Sequence, residues 1–429
     1  MKKKSIEAVI KQCRLRIHYL ESIWKSAFSE NKIPQFDKFL SHYFAHHKQF
    51  GSHDRKFYSE ILFSCLRFGT LALSLCGQKP KNKEEFLLAF QTVRFEQFLN
   101  FVLLKYNDVF SQENIQDLFS QEILNQYLFF KKKSTPLDHL TVTLQDYFLK
   151  RVQYSQWTEE EKNNFLNGLS TKPPLWIRVN DISKMEDVFK EFSDLNSKIF
   201  LSPNSKNSFY VESSTSIYEM KSFQKGFFEI QDFASQEIGN KISCQKGHFI
   251  WDACAGGGGK TMQIASKLNG SGAVFASDIR EYKLEETKKR AKRAQFHNVR
   301  TLVWDGKTLP QFPKEISLRG GFHTVFIDAP CTSLGTLRRN PDVSFRFSVD
   351  YLEEIVRIQN QLLTICSRAV AKNGKLVYAT CSFLLEENEY QIEKFLSENS
   401  DFTLLEQSLV GHPRENSDVM FVAVLEKKN

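Results

Sequence analysis

The chain has 429 residues, of which 41% are hydrophobic and 25% charged, a composition typical of a folded protein of two or three domains and not of a disordered or fibrous one. The formal net charge of +8 favours an anionic partner such as nucleic acid, although many soluble enzymes are mildly basic. Eight cysteines without a C-x-x-C pair argue against a disulfide scaffold and against a structural zinc site, so we expect no metal and a reducing cytoplasm.

Neither a secretion signal nor a membrane segment is predicted. The basic opening, residues 1–16, has no apolar stretch behind it. The most apolar segment, residues 61–76, contains Arg67 and is too short to span a bilayer, so we interpret it as a buried helix. We therefore expect a cytoplasmic protein without a membrane partner.

Apolar residues recur at helical spacing through residues 1–132, where the only prolines are Pro34 and Pro80. We predict an all-helical domain over residues 1–135. The lysines at 131–133, followed by Ser134 and Pro136, indicate a linker at its end. A lysine run of this kind is usually a solvated loop, and phosphate contact is the alternative.

The middle of the chain mixes helical and strand patterns. A second helical stretch is predicted from 137 to 169, before Pro173 and Pro174. Three shorter patterns follow it: a strand at 175–180, a helix at 185–192 and a strand at 209–212. We predict a helical linker plus a small α+β module over residues 136–225.

From residue 226 onward strands and helices alternate, separated by glycine-rich turns. The predicted elements are strands at 248–251, 274–277, 300–303, 324–327 and 375–378 and helices at 262–268 and 281–296. This alternation is typical of a parallel, doubly wound sheet, so we predict a Rossmann-like α/β domain over residues 226–429. The helix at 281–296 is strongly basic; we interpret it as a solvated surface helix, with RNA contact as the secondary possibility.

A glycine-rich loop, Cys254–Lys260, stands where the first strand of this domain passes into its first helix. A phosphate-binding Walker A loop would need glycine at position 254, where this chain has cysteine. The other interpretation is a site for an adenosine cofactor, with Asp278 at the end of the second strand holding the ribose and Asp305 after the third reaching the adenine amine. Each aspartate alone is more often a helix cap or turn residue, but their register with the strand ends favours the cofactor site.

Two cysteines follow later strands of the same predicted sheet. Cys331 comes after Asp328-Ala329-Pro330, and Cys381 comes after the strand at 375–378. Ligands of open α/β sheets bind beyond the carboxyl ends of the strands, so both thiols are expected in one crevice. A single cysteine is usually a small core residue, whereas a pair at matching strand ends favours chemistry.

Two thiols and a carboxyl group beside an adenosine cofactor suit one reaction in particular. Adding a thiolate to C6 of a pyrimidine makes C5 nucleophilic enough to accept a methyl group. A carboxyl group at the N3 edge of the ring would favour that addition. A second thiol could assist when the C5 proton leaves and the first thiolate is expelled.

Several motifs resemble those of the RNA 5-methylcytosine methyltransferases, and most nearly those of the bacterial small-subunit ribosomal RNA enzymes. These motifs are Asp328–Cys331, Arg338–Asp342, Tyr378–Ser382 and Glu386–Asn388, with residues 226–235 similar to the element before the cofactor loop. Residues 174–180 resemble the strand of the family's middle module. Residues 50–55, with Leu66 and Arg67, are similar to a helical, NusB-like RNA-binding domain found in one branch.

The resemblance implies a role for each matching residue. Cys381 would be the nucleophile, Cys331 would help to release the product, Asp328 would contact the target cytosine and Lys260 would lie between cofactor and base. S-adenosylmethionine would be held by Cys254, Ala255, Gly256, Gly257, Gly258, Gly259 and Lys260, together with Asp278, Asp305 and Asp328. Arg338 and Arg339 would contact the RNA. The implied protein is a monomer acting on small-subunit rRNA, free or in an immature particle.

The chain departs from the family pattern at three places. Gly257 stands where proline is usual, which predicts a more flexible loop, and Asp418-Val419-Met420-Phe421 replaces Asp-Gly-Phe-Phe. Ser344-Phe345 replaces a usual Lys-Trp. Two other functions stay open. One is a non-catalytic RNA-binding assembly or antitermination factor with a vestigial methyltransferase domain. The other is a methyltransferase for small molecules or proteins, which leaves both thiols and the helical domain unexplained.

Overall fold

The computed structural model describes residues 5–195, 197–202, 205–212 and 217–429. Residues up to 172 form one compact unit together with 336–351, and residues 173–335 form a second with 352–429. The first four residues of the basic N-terminal segment lie outside the described residues. Within the described chain, every helix is too short or too polar to cross a membrane.

Helices dominate the first third of the chain, and strands appear only after residue 174. The helices are α1 (Ile6–Leu15), α2 (Ile17–Ala27), α3 (Phe36–His46), α4 (Ser52–Arg67), α5 (Gly69–Leu75), α6 (Lys83–Thr92), α7 (Phe95–Phe110), α8 (Gln121–Lys133), α9 (Val142–Ser155), α10 (Glu159–Leu169), α11 (Met185–Asp194), α12 (Lys221–Gln224), α13 (Phe233–Lys241), α14 (Gly259–Leu268), α15 (Glu281–Arg293), α16 (Lys314–Leu318), α17 (Val343–Arg346), α18 (Val349–Ser367) and α19 (Glu389–Glu398). The strands are β1 (Leu175–Val179), β2 (Lys198–Leu201), β3 (Ser208–Glu212), β4 (Phe228–Ile230), β5 (Phe249–Asp252), β6 (Ala273–Asp278), β7 (Val299–Val303), β8 (Phe322–Asp328), β9 (Val370–Thr380), β10 (Phe402–Val410) and β11 (Met420–Lys427).

The first unit is helical, as the spacing of its apolar residues predicts. Its core is rich in aromatic rings: Trp24 is 1% exposed, packs edge-on to Phe90 at 5.1 Å and donates its indole N–H to the Phe90 carbonyl at 3.0 Å. Phe345, from the segment 336–351 that we assigned to the C-terminal domain, packs 5.0 Å from Phe90 in the same core. That segment is therefore part of the helical unit in space.

Two local predictions in this unit are wrong. Residues 61–76 do not form one helix, because α4 ends at Arg67 and α5 begins at Gly69. The break is at Phe68, whose ψ of 11° departs from helical geometry while its side chain is fully buried. Lys131–Lys133 are not a linker loop but the last turn of α8, where cationic side chains are stabilised by the helix dipole.

The second unit begins with a small antiparallel sheet in the order β2-β3-β1-β4. The strand and helix predicted at 175–180 and 185–192 are present as β1 and α11. One face of the sheet packs on α11 through a compact apolar core that includes Ile177, Val188, Phe192, Phe209 and Phe228. The fourth strand, β4, is drawn from the segment assigned to the cofactor domain and pairs antiparallel with β1.

A seven-stranded sheet in the order β10-β11-β9-β8-β5-β6-β7 forms the rest of this unit. Strands β5 to β9 are parallel, as the alternating pattern predicts. The prediction of an all-parallel sheet is wrong at one edge, because β11 pairs antiparallel with both β9 and β10. The five parallel strands end at a common edge, which brings together the glycine loop after β5, Asp278, Asp328 and Cys381.

Candidate active site

The glycine loop is held in place by the strand and the helix beside it. Gly256 donates its backbone N–H to Asp278 Oδ2 at 2.9 Å, and Arg290 on α15 donates to the Gly257 carbonyl at 2.8 Å. Gly258 has a φ of +82°, and a Cβ there would lie 2.7 Å from Thr287 Oγ1, so only glycine fits. The loop thus passes close against α15 and leads directly into α14, a backbone arrangement that fits an adenosine cofactor.

A buried glutamate fixes the helix that holds this loop. Glu229 on β4 has a side chain only 2% exposed and accepts hydrogen bonds from Arg290 at 2.8 Å and from Arg293 at 2.5 Å. The prediction that α15 is a solvated surface helix is therefore wrong for Arg290 and Arg293, because both side chains are paired with the buried carboxylate of Glu229. Glu229 lies within the motif 226–235 quoted above, but no local pattern indicates its partners, which lie about sixty residues away.

Asp278 ends β6 at the position predicted for a ribose ligand. Burial alone would raise the pKa of this carboxyl group, but hydrogen bonds from Arg280 and from the Gly256 N–H outweigh burial and hold the pKa below its ordinary value. Asp278 is therefore an ionised acceptor at the loop. Asp305 is exposed after β7 and accepts a hydrogen bond from the Lys307 N–H at 3.0 Å, the geometry of a turn residue.

Two exposed apolar side chains that were not among the predicted site residues lie within two positions of these acids in the chain. Ile279 follows Asp278 and is 65% exposed, and Val303 at the end of β7 is 57% exposed. Exposed aliphatic groups at the carboxyl ends of strands offer the flat apolar surface that an adenine ring needs. The signal in the sequence for Ile279 is that an apolar residue directly follows an aspartate at the end of a predicted strand.

Lys260 and Asp328 form an ion pair across the edge of the sheet. Lys260 Nζ lies 2.7 Å from Asp328 Oδ2, and the lysine side chain is only 8% exposed. Burial lowers the pKa of Lys260, but the adjacent carboxylate outweighs burial and raises the pKa above its ordinary value. Lys260, which the resemblance places between cofactor and base, is thus brought together with Asp328, which the resemblance places at the target cytosine.

A third carboxyl group, Asp252, lies behind the loop and was not among the predicted site residues. It is 1% exposed and accepts a hydrogen bond from Thr261 Oγ1 at 2.6 Å, while its Oδ1 atom is buried without a hydrogen-bond partner. Burial raises its pKa to about 7, and the negative charge of Asp328 adds to the shift. An acid directly before a glycine loop was the signal that could have identified it.

The two predicted cysteines lie side by side. The Sγ atoms of Cys331 and Cys381 are 3.0 Å apart, and the Cys381 N–H donates to Cys331 Sγ at 3.3 Å. The hydrogen bond from Cys331 lowers the pKa of Cys381, whereas that same bond, with burial, raises the pKa of Cys331. Ser333 Oγ lies 3.4 Å from Cys381 Sγ. The surroundings of the two thiols therefore differ, and they favour ionisation of Cys381 over that of Cys331.

A fully buried carboxylate joins the two segments that carry the cysteines. Glu387 is 0% exposed and accepts hydrogen bonds from the Thr332 N–H at 2.8 Å, from Thr332 Oγ1 at 2.6 Å and from Gln359 Nε2 at 3.1 Å. Asn388 beside it donates to the Ser382 carbonyl at 3.0 Å. Glu387 and Asn388 therefore anchor the residue that follows each cysteine. Both belong to a motif quoted above without a role.

The predicted RNA-contacting arginines belong to the first unit. Arg338 is 1% exposed and donates to Thr171 Oγ1 at 2.7 Å. This burial does not support direct RNA contact by Arg338, and the contact predicted for half-buried Arg339 stays a prediction. Among the residues that the structure describes, no cluster of histidine, cysteine or acidic side chains could hold a metal ion.

In the second unit, the first strand of a doubly wound sheet leads through a glycine loop into a helix, and acidic side chains stand at the following strand ends. This arrangement defines a Rossmann-like domain with a site suited to an adenosine cofactor. The family model described as 16S rRNA methyltransferase RsmB/F matches residues 241–425. The match extends from just before β5 into β11, and so covers the strands of the seven-stranded sheet and both cysteines at its edge.

Curated relatives share sequence with this chain over part of its length. The chain is 32% identical over 267 residues to ribosomal RNA small subunit methyltransferase B of Photorhabdus laumondii, covering 60% of this chain and 59% of that protein. It is 29% identical over 269 residues to the same-named protein of Proteus mirabilis, covering 62% of each. The matches thus span about three fifths of the relatives' length.

Two solved structures share the fold. The crystal structure of PH0851 aligns with a TM-score of 0.69 at 20% identity, covering 95% of this chain and 97% of that one. NSun6 from Pyrococcus horikoshii, solved with SFG, aligns with a TM-score of 0.56 at 19% identity, covering 65% of this chain and 97% of that one.

Proposed function

We propose that this protein methylates C5 of a cytosine in RNA, with S-adenosylmethionine as methyl donor and 16S small-subunit rRNA as substrate. The observation that carries the proposal is the asymmetric pair of thiols, 3.0 Å apart, at the same sheet edge as the Lys260–Asp328 ion pair. A methyltransferase for small molecules would not need a second thiol. The curated relatives are named as small-subunit rRNA methyltransferases, which supports the choice of substrate.

In the proposed reaction the Cys381 thiolate attacks C6 of the cytosine, and the electron pair of the C5–C6 double bond becomes available at C5. The Asp328 carboxylate accepts a hydrogen bond from the N4 amino group at the N3 edge of the ring, and Lys260 keeps Asp328 oriented. Once Cys381 is bonded to C6 it no longer accepts the hydrogen bond from Cys331, and Cys331 releases its proton to solvent. After C5 is methylated, the Cys331 thiolate accepts the C5 proton as a general base. The electrons of that C–H bond re-form the C5–C6 double bond, and the bond from C6 to Cys381 breaks to return the thiolate.

The cofactor would be held by the backbone of residues 254–260 and by Asp278 and Asp305, with Ile279 offering an apolar surface to the adenine. When bound, S-adenosylmethionine supplies the methyl group that C5 accepts. The target base must leave its stack to reach Cys381, so the substrate segment is unpaired or becomes so on binding. We further propose that the protein acts as a cytoplasmic monomer on rRNA, free or in an immature particle.

The test compares three cysteine variants of the full chain with labelled S-adenosylmethionine and small-subunit RNA. Cys381→Ala should abolish labelling of cytosine C5. Cys331→Ala should leave the protein covalently attached to RNA, because the adduct forms but does not resolve. Cys244→Ala, which removes a half-buried thiol elsewhere in the unit, is the matched control and should behave as wild type.

Three outcomes would contradict the proposal. Released, fully methylated RNA from Cys331→Ala would remove the role assigned to that thiol. Label at an atom other than C5 would overturn the reaction. Tight RNA binding by wild-type protein without labelling of free RNA or immature particles would favour the non-catalytic assembly factor instead.

A further inference from the structure

The edge of the four-stranded sheet carries a stacked pair of aromatic rings that the proposed reaction does not use. Phe200 on β2 and Tyr210 on β3 lie with ring centroids 4.7 Å apart and planes inclined by 12°. They are cross-strand partners, and Tyr210 is in turn the partner of Trp176 on β1. The three rings therefore form a row across the strands on one face of the sheet.

Only the Phe200 end of this row is open. Trp176 is 3% exposed and stacks on Phe233 of α13 at 4.8 Å, so the inner end is covered by the methyltransferase domain. Phe200 is 37% exposed although one side of its ring is against Tyr210. The core of the module, which includes Phe209, lies on the opposite face of the sheet. Packing in that core therefore does not explain why an aromatic side chain stands at position 200.

The row is connected to the catalytic cysteine by the segment 411–419. Asn416 Nδ2 lies 3.3 Å from the Tyr210 hydroxyl oxygen, which accepts its hydrogen bond. Three residues further on, the Val419 N–H donates to the Gly335 carbonyl at 3.0 Å, and the Gly335 N–H donates to the Cys381 carbonyl at 3.0 Å. The segment that supports the aromatic row thus also contacts the loop beside the nucleophile.

We propose that Phe200 is a stacking platform for an unpaired nucleotide of the RNA substrate. This nucleotide lies near the target base in the RNA chain, and the target base enters the crevice at Cys381. This inference rests on the proposed function. A flat exposed ring can stack on any base, and a nucleotide near an extruded base is free to stack because it is not held in a duplex. Lys198, two residues before Phe200, lies on the same face and is exposed for a phosphate contact. Glu212 is its cross-strand partner, so we expect stacking to contribute more than charge.

Binding of the full chain to a single-stranded oligoribonucleotide tests the platform, with a duplex of the same sequence as the second probe. Phe200→Ala should weaken single-strand binding about tenfold, the scale of one lost base stack, and leave duplex binding unchanged. Phe200→Trp should restore affinity, and its added indole fluorescence should be quenched on binding. Leu201→Ala is the matched control, because Leu201 is the next residue, is 65% exposed and points to the opposite face.

Unchanged single-strand affinity in Phe200→Ala, or an equal loss in Leu201→Ala, would overturn the platform. A change in self-association instead of RNA affinity would also overturn it, because a second copy would then occupy this strand edge. The two proposals fail separately. Methylation at C5 without dependence of RNA binding on Phe200 would refute the platform alone. Phe200-dependent binding without methylation by the wild type would support the platform and refute the reaction.

Discussion

Replacing the buried Glu387 by glutamine tests whether this carboxylate sets the geometry of the two thiols. The side chain is fully buried and accepts three hydrogen bonds, two from Thr332 and one from Gln359. Glutamine can keep its oxygen at the Oε1 position, which accepts from the Thr332 N–H and from Gln359, but its NH2 group then faces the Thr332 hydroxyl. One charge-assisted hydrogen bond is therefore lost, and the other two lose their charge assistance. At ~1.5–3 kcal/mol for each such bond, and allowing for relaxation, we expect Glu387→Gln to lower the free energy of unfolding by about 3 kcal/mol.

The effect on catalysis should exceed what destabilisation explains, because Thr332 directly follows Cys331. We expect a fall in kcat of about tenfold or more with little change in KM for RNA, measured on protein that is fully folded by circular dichroism. Denaturant unfolding gives the stability change in parallel. Glu398→Gln, at the exposed end of α19, is the matched control and should change neither quantity. Wild-type kcat in folded Glu387→Gln would refute the positioning role, and an unchanged free energy of unfolding would refute the packing argument.

Two further predictions concern acids that surround the cofactor loop. The Asp252 carboxyl group titrates at about 7 in the folded protein but near 4 when unfolded, so the unfolded state loses its proton first as pH rises; stability should fall by up to about 3 kcal/mol between pH 5 and pH 8. Asp252→Asn should remove most of that slope in unfolding measured at both pH values, and an unaltered slope would show that another group is responsible. Glu229→Gln weakens the ion pairs that hold Arg290, and through it the Gly257 carbonyl. Calorimetric titration should show S-adenosylmethionine affinity reduced about fivefold, and wild-type affinity would mean that the loop holds its shape without this support.

Much of the site was accessible from the chain alone because parallel strands end at one edge. Once the strands before Cys254, Asp328 and Cys381 were recognised, a doubly wound topology placed these residues in one crevice without any distance being known. Residue types at particular positions supplied the rest of that prediction. Consecutive glycines indicated a backbone that passes close to a ligand or a helix, and acids at strand ends indicated acceptors for the cofactor. These signals are short-range, so one sequence suffices to read them.

Pairings between distant segments were not predictable in the same way. No residue near Glu229 in the chain indicates that Arg290 and Arg293 are its partners. The antiparallel pairing of β11 with β9 depends on the free edge of β9, which exists only once the parallel strands have assembled. The placement of residues 336–351 with the helical unit likewise depends on the fit of Phe345 into an aromatic core.

The sequence by itself predicted a doubly wound domain, a crevice at the carboxyl ends of its strands and two cysteines at that edge, because each of these follows from local patterns. Only the tertiary structure brought the two thiols into contact and gave them unequal surroundings. The difference between their pKa values arises from a 3.0 Å contact between Cys331 and Cys381 and from their unequal surroundings, and the pKa of a thiol depends on the burial and hydrogen bonds that folding creates.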